Sequence, residues 1–119
     1  MNNEQFENLI ENFLLELPEK FREKMHNIGI VIDYESTSHK YKKNASTGEL
    51  TLGLYEGVPY TKKPGSYSIF PDKITIYKKS LETVSQNDEE MELNVKKVIL
   101  HEIGHYFGLE EEKLRDLGY

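Results

Sequence analysis

Near its C-terminus the chain carries an apolar segment that does not fit a protein surface. It runs Asn94-Val95-Lys96-Lys97-Val98-Ile99-Leu100-His101-Glu102-Ile103-Gly104-His105-Tyr106-Phe107. Wound at 3.6 residues per turn, His101, His105 and Val98 share one side. Glu102, Val95, Tyr106 and Ile99 line the adjoining side, and Ile103, Leu100 and Phe107 the opposite one. From Val98 onward the helix is apolar on most faces, so it is predicted to be buried. Its start is marked by Asn87 before Asp88-Glu89-Glu90, a capping residue followed by an acidic first turn. Gly108 marks its end, because glycine accepts the left-handed conformation that commonly closes a helix. The rest of the 119 residues must supply the surfaces that cover this helix.

Two histidines inside a buried helix need partners for their ring nitrogens. Ordinary hydrogen bonds would serve, and so would a metal ion. The spacing favours the metal. His101 and His105 are four residues apart, so both imidazoles reach one point, while Glu102 projects from the next face toward a metal-bound water. This HExxH arrangement is the one that binds zinc and activates water in metallopeptidases. A catalytic zinc takes about three protein ligands and keeps a place for water. Beyond the Gly108 turn stand Glu110, Glu111 and Glu112. Any of them could approach the histidines. They also read as first-turn acids of a last short helix, Glu110 to Leu117, ended by Gly118. Both readings can hold together.

Composition narrows the chemistry. With no cysteine there are no disulfides and no thiolate metal sites, so a metal must use histidine and carboxylate. A net charge of −6 with 30% charged residues argues for solubility and against a nucleic-acid partner. No apolar run approaches the ~20 residues of a membrane span. The start Met1-Asn2-Asn3-Glu4-Gln5 lacks the basic and apolar regions of a signal peptide, so a cytoplasmic protein is expected. Asn44-Ala45-Ser46 matches a glycosylation pattern and is discounted on that ground.

Upstream, Phe6, Leu9, Ile10, Phe13, Leu14 and Leu17 recur at helical spacing and predict an amphipathic helix from Asn3 to Leu17. Pro18 is expected to start a second helical stretch through Met25. Ile28 to Tyr34 reads as a strand, as do the alternating Leu50, Leu52 and Leu54. Ser36 to Gly48 is polar and basic, a loop containing His39; His39 and His26 are taken as solvated. Pro64-Gly65 signals a turn. Tyr67 to Phe70 is expected as a short strand and Lys73 to Lys78 as a clearer one. One α+β domain over residues 1–119 is the expected result, a small mixed sheet packed on the buried helix with N-terminal helices beside it.

The stretch His101 to Gly118, HEIGHYFGLEEEKLRDLG, resembles the small bacterial zincin-like metallopeptidase family, minimal zincins with an extended motif HExxHxxGxxD like that of metzincins. Gly53-Leu54-Tyr55-Glu56-Gly57-Val58-Pro59 is similar to that family's GLYEGVP segment. Phe70-Pro71-Asp72-Lys73-Ile74-Thr75-Ile76-Tyr77 is similar to its segment of proline, acid, base and apolar strand. The resemblance implies a minimal zincin-like fold and one Zn²⁺ per chain. His101 and His105 would be ligands, Glu102 the general base and Gly108 the turn glycine. Glu111 falls where the family pattern has aspartate, one methylene shorter, with Glu110 and Glu112 as substitutes for it. No methionine turn follows Glu111, so a site open on that side is expected. By the same resemblance a substrate strand would lie along a sheet edge, for which Tyr67–Phe70 or its neighbour is a candidate. The implied activity is zinc-dependent hydrolysis of peptide bonds in a peptide or protein substrate. The alternative is a non-catalytic module that keeps the fold as a metal-binding or protein-interaction domain.

Overall fold

The computed structural model describes residues 1–25, 27–35, 50–57 and 72–116. In chain order its elements are α1 (Asn3–Glu16), α2 (Glu19–Lys24), β1 (Ile28–Asp33), β2 (Gly53–Glu56), β3 (Asp72–Tyr77), α3 (Lys78–Val84), α4 (Asp88–Tyr106) and α5 (Glu111–Asp116). The α+β class, the N-terminal helices and the buried motif helix are as expected. The three strands form a mixed sheet in the order β1-β3-β2. β3 is central, parallel to β1 and antiparallel to β2.

Register explains which residues face the helices. Ile28, Ile30 and Ile32 of β1 lie opposite Asp72, Ile74 and Ile76 of β3. Gly53 and Tyr55 of β2 lie opposite Ile76 and Ile74. Directly paired residues point to the same face, so all of these share one side of the sheet. That side packs on a core made of Phe6 and Ile10 of α1, Leu81 of α3, and Met91, Val95, Val98, Ile99 and Ile103 of α4, together with Ile74 and Ile76. Val95 and Ile99 are fully buried, as the wheel of α4 requires.

The helix ends follow from side-chain chemistry. α1 opens with a full capping box: Asn2 accepts from the Gln5 N–H at 2.8 Å, and Gln5 Oε1 accepts from the Asn2 N–H at 2.8 Å. α4 opens on Asn87, whose Oδ1 accepts from the Glu90 N–H at 2.8 Å. Pro18 is the N-cap of α2 and not its first turn. α5 begins one residue later than expected.

Two larger differences have physical causes. The leucine alternation predicts a strand at 50–54, but β2 runs from Gly53 to Glu56. Gly53 and Tyr55 are the β2 positions turned toward α4, so Leu54 lies on the opposite face of the sheet, while Leu52, just before the strand, packs against the core. Leu52 still receives the Tyr77 N–H at 3.0 Å. Lys78 ends no strand; it opens α3, where its Nζ donates to Asn3 Oδ1 at 2.8 Å and lies over the Phe6 ring. α3 was not expected. It is short, and Tyr77 before it makes no side-chain cap, so it lacks the start signal that sequence reading uses. The expected Ser36–Gly48 loop, the Pro64-Gly65 turn, the Tyr67–Phe70 strand and His26 lie outside the described residues.

Close approach of β2 to α4 depends on Gly53. A Cβ there would stand 2.5 Å from Val98 Cγ1 and 3.3 Å from both Glu102 Cγ and the Thr75 carbonyl oxygen. Valine is stiff at χ1, so the contact cannot relax by a rotamer change alone. Gly53→Ala should therefore lower stability by about 1–3 kcal/mol in urea unfolding. Adding Val98→Ala should recover part of that loss; a purely additive double variant would count against the contact.

Candidate metal centre

α4 brings His101, Glu102 and His105 to one place. A ring nitrogen of each histidine and a carboxylate oxygen of Glu102 all lie within 4.8 Å of one another. Both histidines are half-buried, and Glu102 is 7% exposed. Among the described residues this is the one such group of three potential ligands.

The turn after α4 sets the tautomer of His105. Phe107 closes the helix and Gly108 follows with φ +88°. The Gly108 N–H donates to the His105 carbonyl and the Leu109 N–H to the Gly104 carbonyl, each at 2.9 Å. These two bonds constitute a Schellman motif. The motif turns the Leu109 carbonyl back, and it lies 3.0 Å from His105 Nδ1. A carbonyl only accepts, so Nδ1 carries the proton. That leaves Nε2 as the ring nitrogen through which His105 would meet a metal.

His105 Nε2 faces His101 Nε2 at 3.2 Å, with the rings nearly perpendicular at 80°. Two nitrogens bound to one tetrahedral zinc at ~2.0–2.1 Å stand roughly 3.3–3.4 Å apart. The pair is thus already at the separation a metal requires, and the two nitrogens, with a carboxylate beside them, form a donor set suited to zinc. The residues fit the ion on this geometry.

Glu102 is held from the other side. Its Oε1 accepts a hydrogen bond from the Tyr55 backbone N–H of β2 at 2.8 Å. The Tyr55 hydroxyl in turn donates to Asp72 Oδ2 at 2.6 Å. Burial pushes the Tyr55 phenol well above the ordinary tyrosine range, and the Asp72 carboxylate pushes it further in the same direction. The hydroxyl therefore stays protonated and a donor. Tyr106 stacks edge-on against Tyr55 at 6.0 Å and donates its own hydroxyl to the Lys24 carbonyl.

Of the four site residues read from the sequence, three are thus brought together. For Glu111 the structure places the backbone as the first residue of α5, which packs against α4. Its side chain lies outside the described atoms. The sequence reading passed over the chemistry of Tyr55, Asp72 and the Leu109 carbonyl. Tyr55 and Asp72 fall in segments that the resemblance marked without a role, and a backbone carbonyl has no residue-type signature at all.

Comparison with known proteins agrees with this geometry. The zincin-like metallopeptidase family matches residues 25–119, and the chain belongs to that family. A solved structure, a conserved hypothetical protein from Thermus thermophilus, is similar with a TM-score of 0.62 and 25% identity, over 90% of this chain and 94% of that one. No curated protein matches the chain. Among the described residues no helix is long and apolar enough to cross a membrane.

The Schellman turn gives a direct test of the local design. Gly108→Ala places a Cβ at positive φ and should lower stability by about 1–2 kcal/mol in urea unfolding. Gly108→Asn should lower it less, since asparagine tolerates that conformation. Equal losses would show that the left-handed turn is not what the glycine serves.

Proposed function

We propose that residues 1–119 form one domain that hydrolyses peptide bonds with a single zinc ion, held by His101, His105 and Glu111, and with Glu102 as general base. The observation that carries this reading is the pair of facing Nε2 atoms at 3.2 Å with the Glu102 carboxylate beside them, on a chain of the zincin-like metallopeptidase family. Glu111 is chosen over Glu110 and Glu112 because it matches the acidic position of the family's extended motif.

Each residue has a distinct task. His105 is kept in the Nδ1–H tautomer by Leu109, and His101 presents its Nε2 to the same point. Bound zinc supplies Lewis-acid activation of a water and of the scissile carbonyl. Glu102 takes a proton at a carboxylate oxygen from the water whose oxygen bonds to the scissile carbonyl carbon, and returns it to the amine nitrogen as the C–N bond breaks. Burial against β2 keeps that carboxylate from competing hydration. A peptide or protein is the substrate class.

The experiment is zinc loading followed by elemental analysis and a peptide-library cleavage assay read by mass spectrometry. The unaltered protein should hold about one zinc per chain, the single-ion arrangement of catalytic sites. At zinc 100-fold above Kd its stability should rise by about 2.7 kcal/mol. Glu102→Gln should keep the zinc and lose turnover by ~10²–10⁴-fold. Turnover retained in that variant would remove Glu102 from the mechanism. Glu111→Ala should weaken zinc binding while the fold persists; unchanged affinity would pass the third position to another group. Full zinc occupancy with no cleavage of any peptide would leave a non-catalytic metal-binding module.

A further inference from the structure

The segment Gly53 to Gly57 meets α4 and β3 through contacts that the metal ligands do not explain. Tyr77 N–H donates to the Leu52 carbonyl, and the register continues through Leu54–Thr75 and Glu56–Lys73. In an antiparallel ladder these alternate with pairs whose backbone groups turn away from the partner strand. Tyr55 is in such a pair, opposite Ile74. Its N–H therefore points away from β3, and Glu102 Oε1 receives it at 2.8 Å.

The far end of Tyr55 is anchored as firmly. Its hydroxyl donates to Asp72 at 2.6 Å, and Asp72 is 2% exposed. Gly57, at φ +149°, lies so close to Asp72 that a Cβ would stand 2.5 Å from its Cγ and Oδ1. The fully buried Tyr106 packs edge-on against the Tyr55 ring. One residue thus bridges two buried carboxylates, one through its backbone and one through its side chain.

We infer that Tyr55, anchored by Asp72, is a positioning residue that fixes the rotamer of Glu102. A glutamate side chain turns about three bonds, and a hydrogen bond at one oxygen selects a narrow set of those positions. Misplacing a reacting group by about 1 Å can cost ~10²-fold in rate, so the orientation has kinetic weight. The inference rests on the reading of Glu102 as general base, and it gives the Gly53–Gly57 and Asp72 segments a task. Gly53 admits the helix, Tyr55 holds its carboxylate, and Gly57 makes room for the anchor.

The test uses the full chain in two forms. In the metal-free protein, amide hydrogen exchange at residue 55 is measured by NMR. Exchange there should be slow in the unaltered protein and at least ~10-fold faster in Glu102→Ala, since an amide that loses its acceptor opens to solvent. It should quicken also in Tyr55→Phe, while the amides of Thr75 and Ile76 stay unchanged. In the zinc-loaded protein, Tyr55→Phe should keep its zinc and its KM and lose kcat by ~10–100-fold, the usual effect of removing a supporting hydrogen bond. If Tyr55→Phe does not fold, Asp72→Asn takes its place. Asparagine still accepts from the hydroxyl but more weakly, so both effects should follow in smaller measure. Unchanged exchange at residue 55 in Glu102→Ala would overturn the inference. So would a raised KM with unchanged kcat, which would place Tyr55 on the substrate. Protection at residue 55 that depends on Glu102, in a zinc-loaded protein that cleaves nothing, would instead overturn the proposed hydrolysis and leave the positioning bond standing.

Discussion

The hydrogen bond from the Tyr55 N–H to Glu102 Oε1 joins a strand to the helix that carries both histidines. It can form only because α4 approaches β2 within contact distance, and that approach needs a residue without a side chain at position 53. The same approach buries Glu102, which would be costly for a carboxylate with no donor at hand. Backbone supplies the donor. β3 then ties the arrangement down, since it pairs with β2, holds Asp72 beneath the Tyr55 hydroxyl and lends Ile74 and Ile76 to the core beneath α4. The sheet is small, yet β2 and β3 each have a definite duty toward α4.

The histidines are supported by a different means. His105 is oriented by the ending of its own helix. Gly108 takes the left-handed conformation, the chain reverses, and the Leu109 carbonyl meets His105 Nδ1. Local backbone geometry thus decides which nitrogen of His105 is left for a metal. Helix burial and helix termination, two features needed for folding in any case, are used here to prepare a donor set.

Much of this was legible in the residues. The α4 wheel gave the burial of Val95, Val98, Ile99 and Ile103 directly, because period 3.6 and apolar character coincide there. Asn87 and Gly108 announced the two ends by their chemistry. What could not be read was pairing between distant backbone groups. The leucines at 50, 52 and 54 pointed to a strand in the right place but shifted, since the position that meets α4 is occupied by glycine and shows no apolar signal. α3 was missed because seven residues without a capping side chain give periodicity too little to work on. The Tyr55 and Asp72 bonds depend on register between β2 and β3, which no single segment encodes.

The proposed ligands differ in what holds them. His101 and His105 belong to a 19-residue helix packed on the core, so their positions are settled by folding. Glu111 opens a six-residue helix, and helices of that length gain little stability from their own hydrogen bonds. An acid at the first position of a helix is favoured by the helix dipole, which suits a glutamate there whether or not it binds the metal of the proposed reading. Glutamate in place of aspartate lengthens the side chain by one methylene, which adds a rotor to be ordered on binding. On the proposed reading, metal affinity would depend less on the histidines than on how well α5 is held against α4. The coupling runs both ways, because a ligand that binds the docked arrangement also stabilises it.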